Sequence, residues 1–185
     1  MANKVQFGLK NVHYATVTFS TAGVPTYATP VAVPGAVSLS LEDQASSNNF
    51  YADDMTYYVS YGSSSYQGDL EMAIFPDSML EDIWGMTVGS TSKVLTETDG
   101  VEPVPFTLLF QIDGDSEERC YVVYNCTASR PALASSTIED TKEPQTQSCT
   151  ITALPLPDGK VTARTTETTP TATLTSWFSN VFIES

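Results

Sequence analysis

The sequence predicts an all-β protein, a β-sandwich or barrel with one short α-helix on its flank. Apolar and polar residues alternate with a period of two through most of the chain, and clusters of Gly, Pro, Asp and Ser separate the alternating segments. A single segment, at about residues 77–84, has helical spacing instead. With 185 residues, 41% of them hydrophobic, the chain is long enough to bury the core of one domain.

The N-terminal strands follow from this alternation. Val12–Ser20 is rich in β-branched and aromatic residues, and Gly23 and Pro25 mark a turn into a strand-like segment at residues 24–29. In Ala36–Glu42, apolar and polar side chains point to opposite faces, which indicates a half-buried strand with a polar outer face. The apolar side chains are Val37, Leu39 and Leu41, and the polar ones are Ser38, Ser40 and Glu42.

The next segments continue the pattern as far as the helix. Asp43–Asn49 is predicted to be a polar loop, and Phe50–Tyr61 to be a strand with Met55, Tyr57, Val59 and Tyr61 on one face. In Gln67–Phe75, apolar residues alternate with the carboxylates Asp69 and Glu71.

The predicted helix, Asp77–Trp84, follows Pro76. Ser78 and Glu81 have the spacing of a capping box, and Gly85 stands where a C-terminal stop is expected. Leu80, Ile83 and Trp84 would share its apolar face.

The strands after the helix are predicted at Val104–Ile112, Arg119–Ala128 and Cys149–Leu154. Asp113-Gly114-Asp115 is a hairpin turn signal between the first two, and Pro157-Asp158-Gly159 turns the chain into residues 160–163.

The C-terminal part has a different composition. Residues 162–176 are rich in threonine and almost free of apolar side chains, and an apolar tip follows that contains Trp177, Phe178 and Phe182. We therefore expect a β domain at residues 1–163 and a threonine-rich arm at 164–185. The apolar tip is expected to dock on a neighbouring subunit or on its own domain.

The charge distribution is uneven. The chain has a formal net charge of −14, and no lysine or arginine occurs between Lys10 and Lys93. A negative surface repels nucleic acid, so any role near DNA would use this surface as a wall that does not bind phosphate. The carboxylates of this window are Glu42, Asp43, Asp53, Asp54, Asp69, Glu71, Asp77, Glu81 and Asp82.

The reactive groups of an enzyme are not evident, and we expect no catalysis, no metal and no cofactor. His13 is the only histidine, and the three cysteines have neither zinc spacing nor a disulfide pattern. Asp53-Asp54 is interpreted as a charged loop or strand edge, since adjacent strand residues point to opposite faces. The acidic segment 113–118 lacks the glycine and glutamate of a calcium loop. A hydrolase with two carboxylates remains a minor alternative.

The N-terminus has no signal-peptide pattern, and no apolar run has the length of a membrane span. We therefore expect synthesis in a cytoplasm and no contact with a membrane.

Several motifs in series resemble a known family. They are Phe7-Gly8-Leu9-Lys10-Asn11-Val12-His13-Tyr14-Ala15, Thr29-Pro30, Val33-Pro34-Gly35-Ala36, Tyr51-Ala52-Asp53-Asp54, Tyr66-Gln67-Gly68-Asp69-Leu70-Glu71, Pro76-Asp77, Pro105-Phe106 and Arg119-Cys120-Tyr121-Val122-Val123-Tyr124. Over roughly residues 5–163, the sequence resembles the major tail proteins, or tail tube proteins, of long-tailed phages that infect Gram-positive bacteria.

The resemblance implies a structural virion protein. Six subunits would form a ring with a continuous inner β-barrel, and the rings would stack around a tape measure protein into a hollow, non-contractile tail tube. The tube would meet tail tip and terminator proteins at its ends, and genomic DNA would pass through its lumen without specific binding.

Three sets of residues are candidates within that assembly. The inner barrel would contain 36–42, 50–61 and 67–75, with Ser38, Ser40, Glu42, Asp69 and Glu71 facing the lumen. Asp43, Gln44, Ser46, Asn48 and Asn49 would form a ring-stacking loop. Trp177, Phe178 and Phe182 would form an inter-subunit arm.

Two alternatives share the all-β, non-catalytic character. One is an immunoglobulin-like decoration or adhesion module. The other is the inner tube protein of a contractile injection machine. Self-association separates the first from a tube protein, because a binding module stays monomeric.

Overall fold

The computed structural model describes residues 3–62, 65–114, 116–137 and 144–184. It contains fourteen strands and two short helices within those ranges. The elements are β1 (Gln6–Phe19), β2 (Pro25–Tyr27), β3 (Val31–Ala32), β4 (Ala36–Leu39), β5 (Glu42–Asp43), β6 (Ser47–Ala52), β7 (Met55–Tyr61), β8 (Tyr66–Met72), α1 (Asp77–Trp84), β9 (Thr87–Val88), β10 (Leu95–Thr96), β11 (Phe106–Gly114), β12 (Arg119–Ala128), β13 (Gln147–Ala153), β14 (Thr162–Arg164) and α2 (Thr171–Ser176). The predicted all-β fold with a short helix at 77–84 is confirmed.

Ten of the strands form one antiparallel sheet. Its order is β2-β1-β11-β12-β13-β8-β4, with β3 beside β1, β5 beside β8 and β14 beside β12. The two other small sheets are β6 with β7 and β9 with β10. The strand β12 pairs with β14 near its start and with β13 near its end, so the sheet bends there around the core.

The main core lies between the sheet and α1. Met79, Ile83 and Trp84 of α1 are buried against it. The Trp84 indole donates hydrogen bonds to the carbonyl oxygens of Ala128 (3.3 Å) and Ser129 (2.9 Å), which satisfies its N–H. Side chains from one face of β8, β11, β12 and β13 also belong to this cluster.

The ends of α1 differ partly from the prediction. Gly85 ends the helix at φ 64° as expected, and its N–H donates to the Glu81 carbonyl oxygen (3.1 Å). The expected capping box is absent from this helix, since Pro76 is the N-cap residue and no side chain caps it. Ser78 therefore lies within the first turn, where its side chain is exposed.

The central strands β11 and β12 are buried on both faces. Phe106, Leu108 and Phe110 belong to the main core, whereas Leu109 belongs to a second cluster on the opposite face. The second cluster also contains Cys120, Val122, Tyr124, Leu156 and Trp177.

The C-terminal segment covers that second face of the central strands. This corrects the expectation of a separate arm. Thr162–Arg164 forms β14, which pairs with β12, and α2 follows. The expected domain boundary at 163/164 therefore falls inside a strand, and the segment completes the domain. None of the helices in the described ranges is long and apolar enough to span a membrane.

Candidate assembly surfaces

The residues expected to face a lumen lie together on one open face of the main sheet. Ser38, Ser40, Glu42 and Asp69 are exposed, and Glu71 is half-buried. They do not pack against α1, which lies on the opposite, apolar side of β8. Opposite β8, the strand β13 adds Ser148 beside Glu71, Thr150 beside Asp69 and Thr152 beside Gln67. The lumen-facing role of this set stays a prediction.

Hydroxyl groups hold the carboxylates of this face. Ser38 donates to Glu71 Oε2 (2.9 Å) and Thr146 to Glu71 Oε1 (2.6 Å). Thr150 donates to Asp69 Oδ1 (2.8 Å). The bonds from Thr146 and Ser38 lower the pKa of Glu71 below its ordinary value, because they favour the ionised form. Glu71 is therefore ionised at neutral pH, and hydroxyl groups hold both Asp69 and Glu71 in position.

Gly68 allows the chain to cross this face. A Cβ atom at Gly68 would lie 1.8 Å from the Ser40 carbonyl oxygen, closer than any real contact. The connection between β4 and β5 thus lies directly against the backbone of β8, and this places Ser40 beside Asp69 and Glu42 opposite Gln67. Only glycine permits that approach.

The segment expected to be a polar, ring-stacking loop lies largely in β-strands, which corrects the predicted loop conformation. Asp43 ends β5, Gln44 and Ser46 lie in the short connection, and Asn48 and Asn49 belong to β6. The connection is anchored by hydrogen bonds from Gln44 N to Ser65 O (2.8 Å) and from Gly62 N to Ser46 O (2.8 Å). The five residues therefore lie at the base and along the first strand of a hairpin.

That hairpin also corrects the single strand expected at Phe50–Tyr61. The chain reverses at Asp53-Asp54, where φ is 53° and 60°, and β6 pairs with β7. Two successive left-handed residues form the turn that suits a two-residue hairpin, and Asp tolerates that conformation. β6 and β7 thus form a sheet of their own, and of the 50–61 segment none joins the main sheet.

The hairpin carries a large aromatic surface. Its exposed side chains are Phe50, Tyr51, Met55, Tyr57, Tyr58, Val59 and Tyr61, and Tyr61 is 74% exposed. A two-stranded hairpin is marginally stable alone, and an apolar surface of this size marks an interaction site. The signal in the sequence was the adjacent pairs Phe50-Tyr51 and Tyr57-Tyr58, because neighbours in a strand face opposite sides and cannot share one core.

The three residues of the expected inter-subunit arm pack on their own domain. Trp177 is 2% exposed, and its Nε1 donates to the Tyr121 carbonyl oxygen (3.4 Å). Phe182 stacks on Trp177 with ring centroids 5.3 Å apart, and Phe178 lies 4.7 Å from His13. Of the two docking sites that the sequence left open, the structure thus shows the subunit's own domain, and an inter-subunit role of these residues stays a prediction.

The other chemical candidates have ordinary surroundings. Asp53 and Asp54 are exposed at the hairpin tip, and His13 Nδ1 lies 2.9 Å from the Asn11 carbonyl oxygen. Asp113 and Glu118 bind Lys10 Nζ at 2.6 and 2.5 Å, while Asp115 lies outside the described residues. The described residues contain no group of three or more His, Cys, Asp or Glu side chains placed to hold a metal ion.

The described strands thus carry an exposed acidic and polar face and an exposed aromatic hairpin, as expected of an all-β subunit that assembles with other chains. A family model described as "Phage tail tube protein" matches residues 2–180. The chain therefore belongs to the phage tail tube protein family, and it is a structural protein of the tail. The match continues past residue 163, through β14 and α2, and agrees with a C-terminal segment that belongs to the domain.

Distant similarities exist among solved structures. The anti-feeding prophage cap, a tube terminating cap, is 14% identical with a TM-score of 0.44 and covers 90% of this chain and 96% of its own. A chain of the sheath-tube complex of an extracellular contractile injection system in its extended state is 12% identical with a TM-score of 0.43, covering 84% and 88%. No curated protein matches the sequence.

Proposed function

We propose that this tail tube protein closes into hexameric rings that stack into a hollow tube, with the acidic face of β4, β5, β8 and β13 lining the lumen. Genomic DNA passes through that lumen during ejection. The tube encloses a tape measure protein during assembly and meets tail tip and terminator proteins at its ends. The subunit acts without catalysis and without a cofactor.

The observation that carries the proposal is the composition of that face. Its side chains are serine, threonine, glutamine and carboxylates, and none of them is basic; they are Ser38, Ser40, Glu42, Gln67, Asp69, Glu71, Ser148, Thr150 and Thr152. Such a wall repels phosphates and offers them no cation to bind. At physiological salt the field reaches only about 8 Å, so groups on the wall itself matter most.

The sheet edges support ring closure. Within the described residues, β4 pairs with β8 on one side only, and β2 likewise pairs only with β1. Unpaired edges invite uncontrolled pairing with other chains, and closure of a ring removes them. In the proposed ring, edges of adjacent subunits meet and continue the sheet around the lumen.

Negative-stain electron microscopy of the purified chain over a range of concentrations tests the proposal. We expect six-fold rings, or hollow tubes with a central channel. Uniform monomers at every concentration, and also after addition of the tail-tip complex, would favour a binding module and contradict the proposal.

Thiol labelling tests which face lines the lumen. The native cysteines are buried, so Ser40→Cys introduces one exposed thiol on the proposed wall. We expect that thiol to react with a polymer-linked maleimide in the free subunit and to be protected in assembled tubes. Glu81→Cys is the control, since Glu81 is exposed on α1, which lies on the opposite side of β8. Equal reactivity of Ser40→Cys in both states would place the face elsewhere.

The non-contractile type of tail is the finer part of the proposal. It is supported by the motif series at residues 5–163. Electron micrographs of virions are expected to show a bare tube, and a sheath around it would instead assign the chain to a contractile machine.

A further inference from the structure

The edge strand β4 has little backbone pairing to hold it on the sheet. It spans only Ala36–Leu39, and an irregularity interrupts its pairing with β8 between Ala36 and Ser38. In the part of the chain that the structure describes, no strand pairs with its other side. A short, irregular edge strand opens readily, so a side-chain bond that crosses from it to β8 matters for its position.

A carboxylate of β8 supplies such a bond. Glu71 lies directly opposite Ser38 of β4 on one side and opposite Ser148 of β13 on the other. Its Oε2 accepts from the Ser38 hydroxyl (2.9 Å), and its Oε1 accepts from the hydroxyl of Thr146, just before β13 (2.6 Å). The Glu71 side chain therefore connects three neighbouring segments, since each of its oxygen atoms binds a different neighbour of β8.

The ionised form of Glu71 suits both of these bonds. A carboxylate is only an acceptor, so two hydroxyl groups can donate to it at once. The bonds from Thr146 and Ser38 lower the pKa of Glu71 below its ordinary value, which keeps the carboxylate charged at neutral pH. Hydrogen bonds to a charged acceptor are about twice as strong as those between neutral groups.

The nearby carboxylate of Asp69 makes a different connection. It lies on the same face of β8, two residues before Glu71, and its Oδ1 accepts from the Thr150 hydroxyl (2.8 Å). That bond joins β8 to β13, whereas the bond from Ser38 to Glu71 joins β8 to β4. The two carboxylates thus have the same charge and distinguishable mechanical roles.

We propose that Glu71 is a positioning residue for assembly: its carboxylate holds β4 and the start of β13 on β8, and so fixes the outer edge of β4 where a second copy of the chain pairs. The inference deepens the proposed function and rests on it, because that edge is one of those that meet in the ring. The irregularity before Ser38 leaves Val37 51% exposed on the same strand, where it offers that copy an apolar contact.

Hydrogen exchange of the free subunit, measured by mass spectrometry, tests whether Glu71 holds β4. Glu71→Ala removes both bonds, and we expect the β4 amides that bind β8 to exchange roughly fivefold faster or more, with little change in the thermal unfolding midpoint. Glu71→Gln should restore slow exchange, because its amide can accept from one hydroxyl and donate to the other. Equally fast exchange in both variants would contradict the proposed bonds.

A double-mutant comparison separates the bond from a general loss of packing. Ser38→Ala should speed exchange of β4 in the otherwise unmodified chain, and should add nothing in the Glu71→Ala background. Additive effects would mean that the two side chains act independently, and would overturn the proposal.

Asp69→Ala is the matched control for charge. It removes a carboxylate from the same face, together with a bond to β13, and should leave the exchange of β4 unchanged. Equal acceleration by Asp69→Ala and Glu71→Ala would assign the effect to the charge of the face and not to the connection with β4.

Tube formation, followed by electron microscopy and sedimentation, tests the consequence for assembly. Glu71→Ala should yield several-fold fewer tubes than the unmodified chain, and Glu71→Gln should recover them. Normal tubes from Glu71→Ala would overturn the positioning role. Failure of the unmodified chain to form tubes would instead refute the proposed function, and the assembly role of Glu71 with it, whereas exchange in the free subunit decides by itself whether Glu71 holds β4.

Discussion

Trp177 shows how one residue joins the C-terminal segment to the domain. It fills the second cluster beside Leu109, Val122 and Tyr124, and little of its surface reaches water. Without it, the outer face of the central strands would lose its largest covering side chain. The sequence predicted the strand at Val104–Ile112 but not that both of its faces are buried, nor which segment covers the second face.

Trp177→Ala should therefore lower the free energy of unfolding by about 3–5 kcal/mol, the usual cost of removing a buried tryptophan. Leu174→Ala is the control within the same segment, because Leu174 is 38% exposed. Its cost should stay below about 1 kcal/mol. Urea unfolding followed by fluorescence of Trp84 measures both, and equal losses would mean that the segment is not docked as described.

Two buried tyrosines, Tyr14 and Tyr124, and the half-buried Tyr27 make the fold sensitive to alkali. Burial, assisted by the bond from Tyr14 to Asp82 (2.8 Å), raises the pKa of Tyr14 to about 12. Burial also raises the pKa of Tyr27 and Tyr124 to about 12. The fold thus favours the neutral phenols, so their contribution is complete below about pH 10 and is lost as the pH rises through about 12.

We expect the free energy of unfolding to decrease between those pH values, and phenolate absorbance at 295 nm to show late-ionising tyrosines. Tyr14→Phe should remove one of them from the late group. Tyr57→Phe, at an exposed position on the hairpin, should leave that group unchanged. Simultaneous ionisation of every tyrosine in the folded protein would contradict this assignment.

At the scale of elements, the β4–β5 crossing over β8 depends on Gly68. Gly68→Ala places a methyl group against the Ser40 backbone, which cannot yield as a side chain would. We expect a loss of at least about 2 kcal/mol, within the range of overpacking in a tight site. Gly8→Ala is the matched control, since a Cβ there meets nothing within 4 Å. Thermal unfolding measures the stability of the two variants. Equal stability would show that the β4–β5 connection can shift away from β8 to make room for the methyl group.

We expect the β6–β7 hairpin to contribute to assembly more than to folding. Replacing residues 47–61 by a short glycine-containing turn should leave a folded, soluble domain that does not form tubes, because the hairpin lies outside both cores. Circular dichroism and electron microscopy measure the two properties. The control replaces only Asn48 by Ser, at an exposed β6 position. Normal tubes from the shortened chain would show that the hairpin is not needed for stacking.

The period-two pattern predicted strands correctly where one face of the strand is buried. It was misleading where both faces are exposed or both are buried. β8 and β13 alternate cleanly and were predicted, together with the polar face that they carry. β4 was predicted too, but an irregularity between Ala36 and Ser38 leaves Val37, expected on the apolar face, 51% exposed. β6 and β7 alternate too, yet the predicted inner face of β7 is exposed in the subunit; it consists of Met55, Tyr57, Val59 and Tyr61. Alternation alone cannot distinguish an apolar face that packs in the core from one that is exposed in the single subunit. The threonine-rich composition of 162–176 concealed β14, whose pairing with β12 depends on a distant strand.

At the scale of the whole molecule, the proposed tube would repeat the acidic face with every subunit. One substitution on that face would then occur once in each subunit of every ring. Asp69→Lys should make assembled tubes bind double-stranded DNA fragments that the unmodified tubes release, with a strong dependence on salt. Co-sedimentation measures the binding. Asp99→Lys, at an exposed site outside the proposed wall, makes the same charge change and should bind far less.

The three cysteines have a consequence for the protein outside the cell. Cys120, Cys126 and Cys149 are all buried, and burial raises the pKa of the Cys126 and Cys149 thiols to about 12. Oxidants attack the thiolate, and these residues present neither the ionised form nor the access. In a tail exposed to oxygen and peroxide, these cysteines would therefore not form disulfide bonds between subunits. Its loss of function over time would be governed by unfolding and not by cysteine oxidation.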